Sequence, residues 1–290
     1  MITINPKEVA TKDLHEYMLS SIAPRPIAFA STVNAEGQPN LAPYSFFNCF
    51  SSNPPVLVFS ANRRVRDNST KDTLSNIEAT GEVVINVVSY NFVKQMALAS
   101  IEYPSNINEF EKAGFTALPS ETVKPFRVAE SPAQYECKVK DIIRLGDQGG
   151  AGNLFICEVQ LLHINKAVLN EHGKIDPHKI DLCGRMGANN YVRASGKAVF
   201  ELNQPVNRIG IGFDNLPSAI RLSKVLTGNE LAMLAAVEHL PSEKEIKETR
   251  IAFSKMPAPM QAEEALHTFA KDLLAKGQVN EAWKVLLARG

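Results

Sequence analysis

Short apolar runs, each closed by turn residues, follow one another through the first two-thirds of the chain with few helical segments between them. "PIAFASTV" (26–33), "PVLVFS" (55–60), "EVVINVVS" (82–89), "AQYECKVKDIIRL" (133–145) and "LFICEVQLLHINKAVL" (154–169) read as strands, being β-branched or alternating and bounded by turns. A parallel sheet needs a helical crossover between successive strands, and that rhythm is missing. The pattern predicts an antiparallel sheet, closed into a barrel or folded into a sandwich. "NAEGQPN" (34–40), with Gly37 and Pro39, predicts a hairpin into the next strand. Two helices are expected: "STKDTLSNIEATG" (69–81), with Ser69 or Thr70 as N-cap and Gly81 as stop, and "YNFVKQMALAS" (90–100). The first would bury Leu74 and Ile77, the second Phe92, Met96 and Ala99.

Beyond Ala194 the composition turns helical, which divides the chain into residues 1–196 and 197–290. "PSAIRLSKVLTG" is expected to start at Pro217 and stop at Gly228. "SEKEIKETRIAF" opens with Ser242 and Glu245 at capping-box spacing, and "EEALHTFAKDLLAKG" and "NEAWKVLLARG" follow. Leu222, Leu226, Leu231, Leu234, Leu266, Phe269, Leu273, Trp283 and Leu286 fall at helical spacing. Helices this short are marginal alone, so a compact helical appendage packed on the first part is expected.

The 290 residues carry 31 Lys+Arg against 31 Asp+Glu, a balance that argues against nucleic acid as a partner. No run of 18 apolar residues exists to span a membrane, and the charged start "MITINPKEVATKDLHEYMLS" is not a signal peptide. Cys49, Cys137, Cys157 and Cys183 lack metal-ligand spacing and read as buried free thiols of a cytoplasmic protein. The six histidines show no metal-binding pattern, and no catalytic triad stands out.

"NLAPYSFFNCFSSNPPVLVFSANRR" (40–64) is the stretch whose residue types suit a ligand. Ser45, Asn48, Ser51, Ser52 and Asn53 place short polar groups around Phe46, Phe47 and Phe50. Pro43 and Pro54–Pro55 should block strand pairing and free backbone groups for a ligand. A flat apolar ring with a polar edge, such as an isoalloxazine, suits these walls, and so does a plain strand ending in a turn. Past Ser60 come Arg63, Arg64 and Arg66, then Lys71, Asp72 and Thr73 at a helix start. Helix N-terminal N–H groups with Lys71 and Thr73 suit a phosphate; Asp72 would repel it, and fits better as a cap or an arginine partner. A solvated charge cluster is the alternative. "GDQGGAGN" (146–153) is not a dinucleotide fingerprint, since no helix follows; it reads as a hairpin turn or as a loop closing over a ligand.

"APRPIAFASTVNAEGQPNLAPYSFFNCFSSNPPVLVFS", "KDTLSNIEATGEVVINVVS", "SPAQYECKV", "GNLFICEV" and "CGRMGANNYVRASG" (183–196) together resemble the flavin-reductase-like family, the flavoredoxin branch of the FMN-binding split barrels. The resemblance spans roughly residues 15–196. It implies a mainly β, six-stranded Greek-key split barrel with flanking helices, dimerised around one FMN per subunit. Pro43, Tyr44, Ser45, Phe46, Asn48 and Ser60 would meet the flavin; Arg63, Arg66, Lys71, Asp72 and Thr73 its phosphate; Arg185 and Tyr191 would lie at or near the pocket and could reach the partner's flavin. The implied activity is an NAD(P)H-dependent flavin reductase that passes electrons to a small molecule or a protein. An electron carrier without a nicotinamide site, or a non-redox binding protein on the same barrel, are the alternatives.

Overall fold

The computed structural model describes residues 1–202, 209–255, 257 and 262–288, and falls into two compact units, Met1–Phe200 and Glu201–Gly290. The first opens with helix α1 (Thr11–Ser21) and strands β1 (Ala28–Val33), β2 (Pro39–Tyr44), β3 (Phe47–Ser52) and β4 (Pro55–Ser60). Helix α2 (Asp72–Thr80), strand β5 (Glu82–Val87), a 3-10 turn and helices α3 (Val93–Leu98) and α4 (Glu109–Ala113) follow. Then come the short pair β6 (Ala117–Leu118) and β7 (Arg127–Val128), the long hairpin β8 (Ala133–Arg144) and β9 (Asn153–Ile164), helix α5 (Pro177–Ile180) and the hairpin β10 (Cys183–Arg185) and β11 (Tyr191–Arg193).

Seven strands form one antiparallel sheet in the order β2-β1-β5-β8-β9-β4-β3, where the family resemblance implied six. Strand β3 (Phe47–Ser52), which no apolar run in the sequence predicts, lies at one edge of the sheet. The two edge strands are consecutive in sequence, with only Ser45 and Phe46 between them. A flat sheet would hold its edges roughly 29 Å apart, at about 4.8 Å per strand. Three residue steps span at most about 11 Å. The sheet must therefore roll until β2 and β3 approach, and among the described residues they form no ladder. The result is a barrel open along one seam.

Inside the roll, Phe59, Phe155, Ile85, Cys137 and Cys157 pack with Leu74 and Ile77 of α2, as the helix's apolar spacing predicts. Gly81, left-handed at φ 69°, stops that helix. Its N-cap is Lys71 rather than Ser69 or Thr70, and no side chain caps it. On the outer face Phe29 and Leu41 pack against Phe92, Met96, Ala99 and Phe110. Strand β1 buries all six of its residues, with Ala28 and Ala30 in the inner core and Phe29 in the outer one.

Pro43 does not interrupt β2; it pairs with Phe29 on an edge strand, where a missing N–H costs no ladder bond. Pro55 likewise opens β4 opposite Ser52. Three cysteines are buried as expected, but Cys49 is exposed, because edge strand β3 has no layer over it.

The 146–153 loop is pinned rather than free. Gly150 N–H donates to the Arg63 carbonyl at 3.0 Å, Arg63 N–H to Ala151 at 2.9 Å, and Asn62 Nδ2 to Gly150 at 3.1 Å. A Cβ on Gly149 would stand 2.9 Å from the Val65 carbonyl oxygen and 3.0 Å from that of Arg64. Gly149→Ala is therefore expected to lower stability by about 1–3 kcal/mol, the usual cost of overpacking. Gly146→Ala, which would meet only the Ala151 methyl at 3.3 Å, should cost less. Thermal melts of the two variants check this; equal midpoints would contradict it.

The second unit contains α6 (Ser218–Arg221), α7 (Gly228–Ala235), α8 (Glu243–Ser254), α9 (Glu263–Ala275) and α10 (Val279–Leu287). The Ser242–Glu245 capping box is formed. Gly228 does not stop a helix: it begins α7, because Thr227 and Glu230 make a capping box of their own. Leu226, Leu231, Leu234, Leu274, Trp283 and Leu286 share one core. Leu222 and Phe269 do not join it; both are exposed, since α6 ends before Leu222 and α9 turns Leu266, Ala270 and Leu274 inward instead.

Candidate functional site

Two cavities abut along strand β2 and share Pro43, Tyr44 and Ser100. The larger, of about 330 Å³, is bounded by Ile27, Ser45, Met96, Ala97, Arg185 and Tyr191. The smaller, of about 140 Å³, is bounded by Asn40, Ala42, Arg64, Lys71, Asp72, Thr73, the 99–103 segment and Glu109. Strand β2 supplies the shared floor because the rolled sheet leaves it as an edge, with its outer flank open to α3 and the β10–β11 hairpin.

The smaller end is charged. Arg64 Nε meets Glu102 Oε1 at 2.9 Å, and its Nη1 reaches Ser69 Oγ at 2.9 Å and the Thr70 carbonyl at 2.7 Å. Lys71 stands differently. Among the described residues its ammonium makes no hydrogen bond or ion pair, and it lies 5.2 Å from the centroid of the Tyr44 ring. Burial, and then the neighbouring Arg64, push its pKa below the ordinary lysine value. An anion placed here would relieve both effects. Tyr44 Oη and Thr73 Oγ1 lie 2.8 Å apart, and Asn40 Nδ2 donates to the same Thr73 oxygen at 3.0 Å. Burial drives the Tyr44 phenol well above its usual range. Burial also raises the Glu109 carboxyl, while the N–H groups of Glu109 and Leu41 act against the rise. Asp72 neither caps α2 nor grips an arginine; it accepts from Ser105 Oγ at 2.9 Å.

The larger end is walled by Ile27, Met96 and the Tyr191 ring, with the Arg185 guanidinium 4.6 Å from that ring's centroid. Behind it sits Arg25, buried and without a carboxylate partner among the described residues. Its guanidinium donates to the carbonyls of Leu19, Ile22 and Met186. Burial, and then Arg185, lower its pKa.

Of the sequence candidates, Pro43, Tyr44, Ser45, Lys71, Asp72, Thr73, Arg185 and Tyr191 line these cavities. Five do not. Phe46 turns away, edge-on to His15 at 6.1 Å. Asn48 is exposed on β3, accepting only from Cys49 N–H. Ser60 is buried and spends its hydroxyl on Asn62 at 2.8 Å. Arg63 is tied back to Asn68 at 2.6 Å and 2.8 Å, and Arg66 lies in solvent, paired with Asp67 and Glu102. The sequence reading missed Ile27, Met96, Ala97 and Ser100 as walls, and Arg25 as the buried support. Met96, which helical spacing places in the core, packs there and also lines the larger cavity.

The profile of the flavin reductase like domain matches residues 19–177, more than half of the chain. The chain belongs to the flavin reductase like family. An uncharacterized protein of Aquifex aeolicus is 36% identical over 191 residues, 66% of this chain and 95% of that one. The solved nitrilotriacetate monooxygenase component B of Bacillus cereus is 32% identical with a TM-score of 0.65, over 70% of this chain and 98% of that one. The 2-nitrobenzoate 2-nitroreductase NbaA of Pseudomonas fluorescens is 27% identical with a TM-score of 0.60, over 75% and 100%. The rolled, open sheet accords with the split barrel of this family. A flavin-related oxidoreductase is what these likenesses support at the general level. The family match ends before the helical second unit begins.

Proposed function

We propose that this flavin reductase like protein binds FMN along the two abutting cavities and is an NAD(P)H-dependent flavin reductase. The observation that carries this is the unpaired, half-buried Lys71 at one end of a groove whose other end is walled by Ile27, Met96 and Tyr191. A flat ring, a polyol chain and one phosphate match that order of surfaces. Only Lys71 of the groove's unpaired cations adjoins a helix start among the described residues, and the sequence has no dinucleotide glycine fingerprint; both favour FMN over FAD.

Residues of this chain would divide the work. Lys71, with Arg64 behind it and the uncapped start of α2 beside it, would hold the phosphate. Pro43, Tyr44 and Ser45 would position the ring against β2, and Met96 and Ile27 would keep water from it. FMN held by these residues would supply the redox chemistry, hydride acceptance from NADH or NADPH and electron delivery to a second acceptor.

FMN should therefore be the flavin that mass spectrometry finds in the purified protein; FAD as the main species would contradict the assignment. Lys71→Ala should weaken FMN at least tenfold, since a charge-assisted hydrogen bond contributes about 1.5–3 kcal/mol. Riboflavin, which lacks the phosphate, should bind both forms alike. Equal FMN affinity in the two forms would place the phosphate elsewhere. Stopped-flow mixing with NADH and NADPH then separates a reductase from an electron carrier, which would hold FMN and stay oxidised.

A further inference from the structure

The groove presents a second unpaired cation. Arg185, like Lys71, makes no side-chain hydrogen bond or ion pair among the described residues, although it lines the larger cavity. Other arginines near the groove are engaged: Arg64 by Glu102, Arg193 by Asp181 through two 2.7 Å contacts, Arg25 by three carbonyls. The free state of Arg185 does not come from a loose backbone. Its N–H donates to the Arg25 carbonyl at 2.8 Å, and Arg25 N–H returns to the Arg185 carbonyl at 2.9 Å. The β10–β11 hairpin that carries Arg185 and Tyr191 is fastened again at its base, where Arg193 grips Asp181 and stacks 4.0 Å from the Tyr90 ring centroid.

A guanidinium held on an aromatic face keeps its edge donors aimed outward as a planar fork. That fork fits phosphate and carboxylate oxygens. FMN near neutral pH carries one ionic group, its phosphate, and Lys71 lies at the opposite end of the groove from Arg185. One FMN leaves the second cation without a counter-ion.

We infer that Arg185, held on the Tyr191 ring, is the receptor for an oxyanion of the second substrate. The oxyanion is either a phosphate of the nicotinamide dinucleotide or a carboxylate of the electron acceptor. This rests on FMN filling the groove with its phosphate at Lys71. Buried Arg25 adds positive field from behind, and among the described residues no carboxylate lines the larger cavity to compete.

The experiment is calorimetric titration of the FMN-loaded protein with ADP, which carries the dinucleotide's pyrophosphate, and separately with benzoate as the carboxylate probe. Arg185→Gln and Arg185→Lys are run beside the wild type. One probe should bind the wild type, lose at least tenfold in affinity in Arg185→Gln, and recover partly in Arg185→Lys. Binding of ADP assigns the site to the hydride donor, and binding of benzoate to the acceptor. FMN affinity should change far less than probe affinity in the two variants, because the phosphate stays at Lys71. A fall of tenfold or more in FMN affinity in Arg185→Gln, with probe binding unchanged, would assign Arg185 to the flavin and overturn the inference. Failure of both probes to bind the wild type would also overturn it. A wild type that takes up no FMN would instead defeat the flavin reading, and the same titrations on the flavin-free protein would still report on Arg185.

Discussion

Trp283→Ala is expected to bring the helical unit to the edge of unfolding. Trp283 is fully buried among Leu226, Leu234, Leu274 and Leu286, and its indole N–H donates to the Leu234 carbonyl at 3.1 Å. That carbonyl lies in the last turn of α7, where the helix itself offers no donor. Truncating a buried tryptophan costs about 3–5 kcal/mol. A unit of this size has roughly 5–13 kcal/mol in total, at 0.05–0.15 per residue. The expected result is a drop in helical circular dichroism and rapid proteolysis within residues 201–290. A second variant keeps the optical probe, because Trp283 is the one tryptophan of the chain. Leu234→Ala should lower the fluorescence-detected unfolding free energy by about 2–5 kcal/mol. Fluorescence here reports the helical unit alone. Wild-type protease resistance in Trp283→Ala would show that α7, α9 and α10 do not depend on the shared core.

Where the sequence was legible, one local rule matched the environment. The apolar run of β1, the β-branched runs of β4 and β5 and the long strands of the hairpin β8–β9 are legible because each has at least one buried face. Strand β3 is not, since an edge strand with mostly exposed residues places little demand on apolar spacing. Its polar residues looked like pocket groups for the same reason. Gly228 carries a stop signal, but Thr227 and Glu230 stand at capping-box spacing around it; the two signals overlap, and the box decides. At the candidate site, residue types were legible and directions were not. Arg63, Arg64 and Arg66 are equivalent in sequence, and only the turn that ties Arg63 to Asn68 shows that Arg64 faces the groove. Arg25 carries no periodic signal between its two prolines; its role exists only where α1, β1 and the β10–β11 hairpin meet.

The acid limb of the barrel's stability should depend on one buried carboxylate. Glu136, fully buried on β8, accepts from Glu121 N–H at 2.9 Å, Thr122 N–H and Thr122 Oγ1 at 2.6 Å each, and lies 2.7 Å from His163 Nε2. Burial by itself would raise its pKa, but the donors from Thr122, Glu121 and His163 outweigh it and hold the carboxyl at about 2, against an ordinary 4.5. A folded-state pKa depressed this far contributes about 3 kcal/mol above the unfolded-state value. The contribution is complete above pH 4.5 and is lost as pH falls toward 2. Glu136→Gln should therefore be less stable than the wild type at pH 7 by about that amount. The gap should close as both proteins are taken from pH 5 to pH 2.5. Other carboxylates, such as Glu102 and Asp176, also titrate in the folded protein below their ordinary range. The informative quantity is thus the difference between variant and wild type, not either profile alone. Urea titrations followed by near-ultraviolet circular dichroism would measure it, since tryptophan fluorescence reports the other unit. Parallel profiles, with a constant gap across the acid range, would mean that Glu136 acts through shape and hydrogen bonding rather than through its charge.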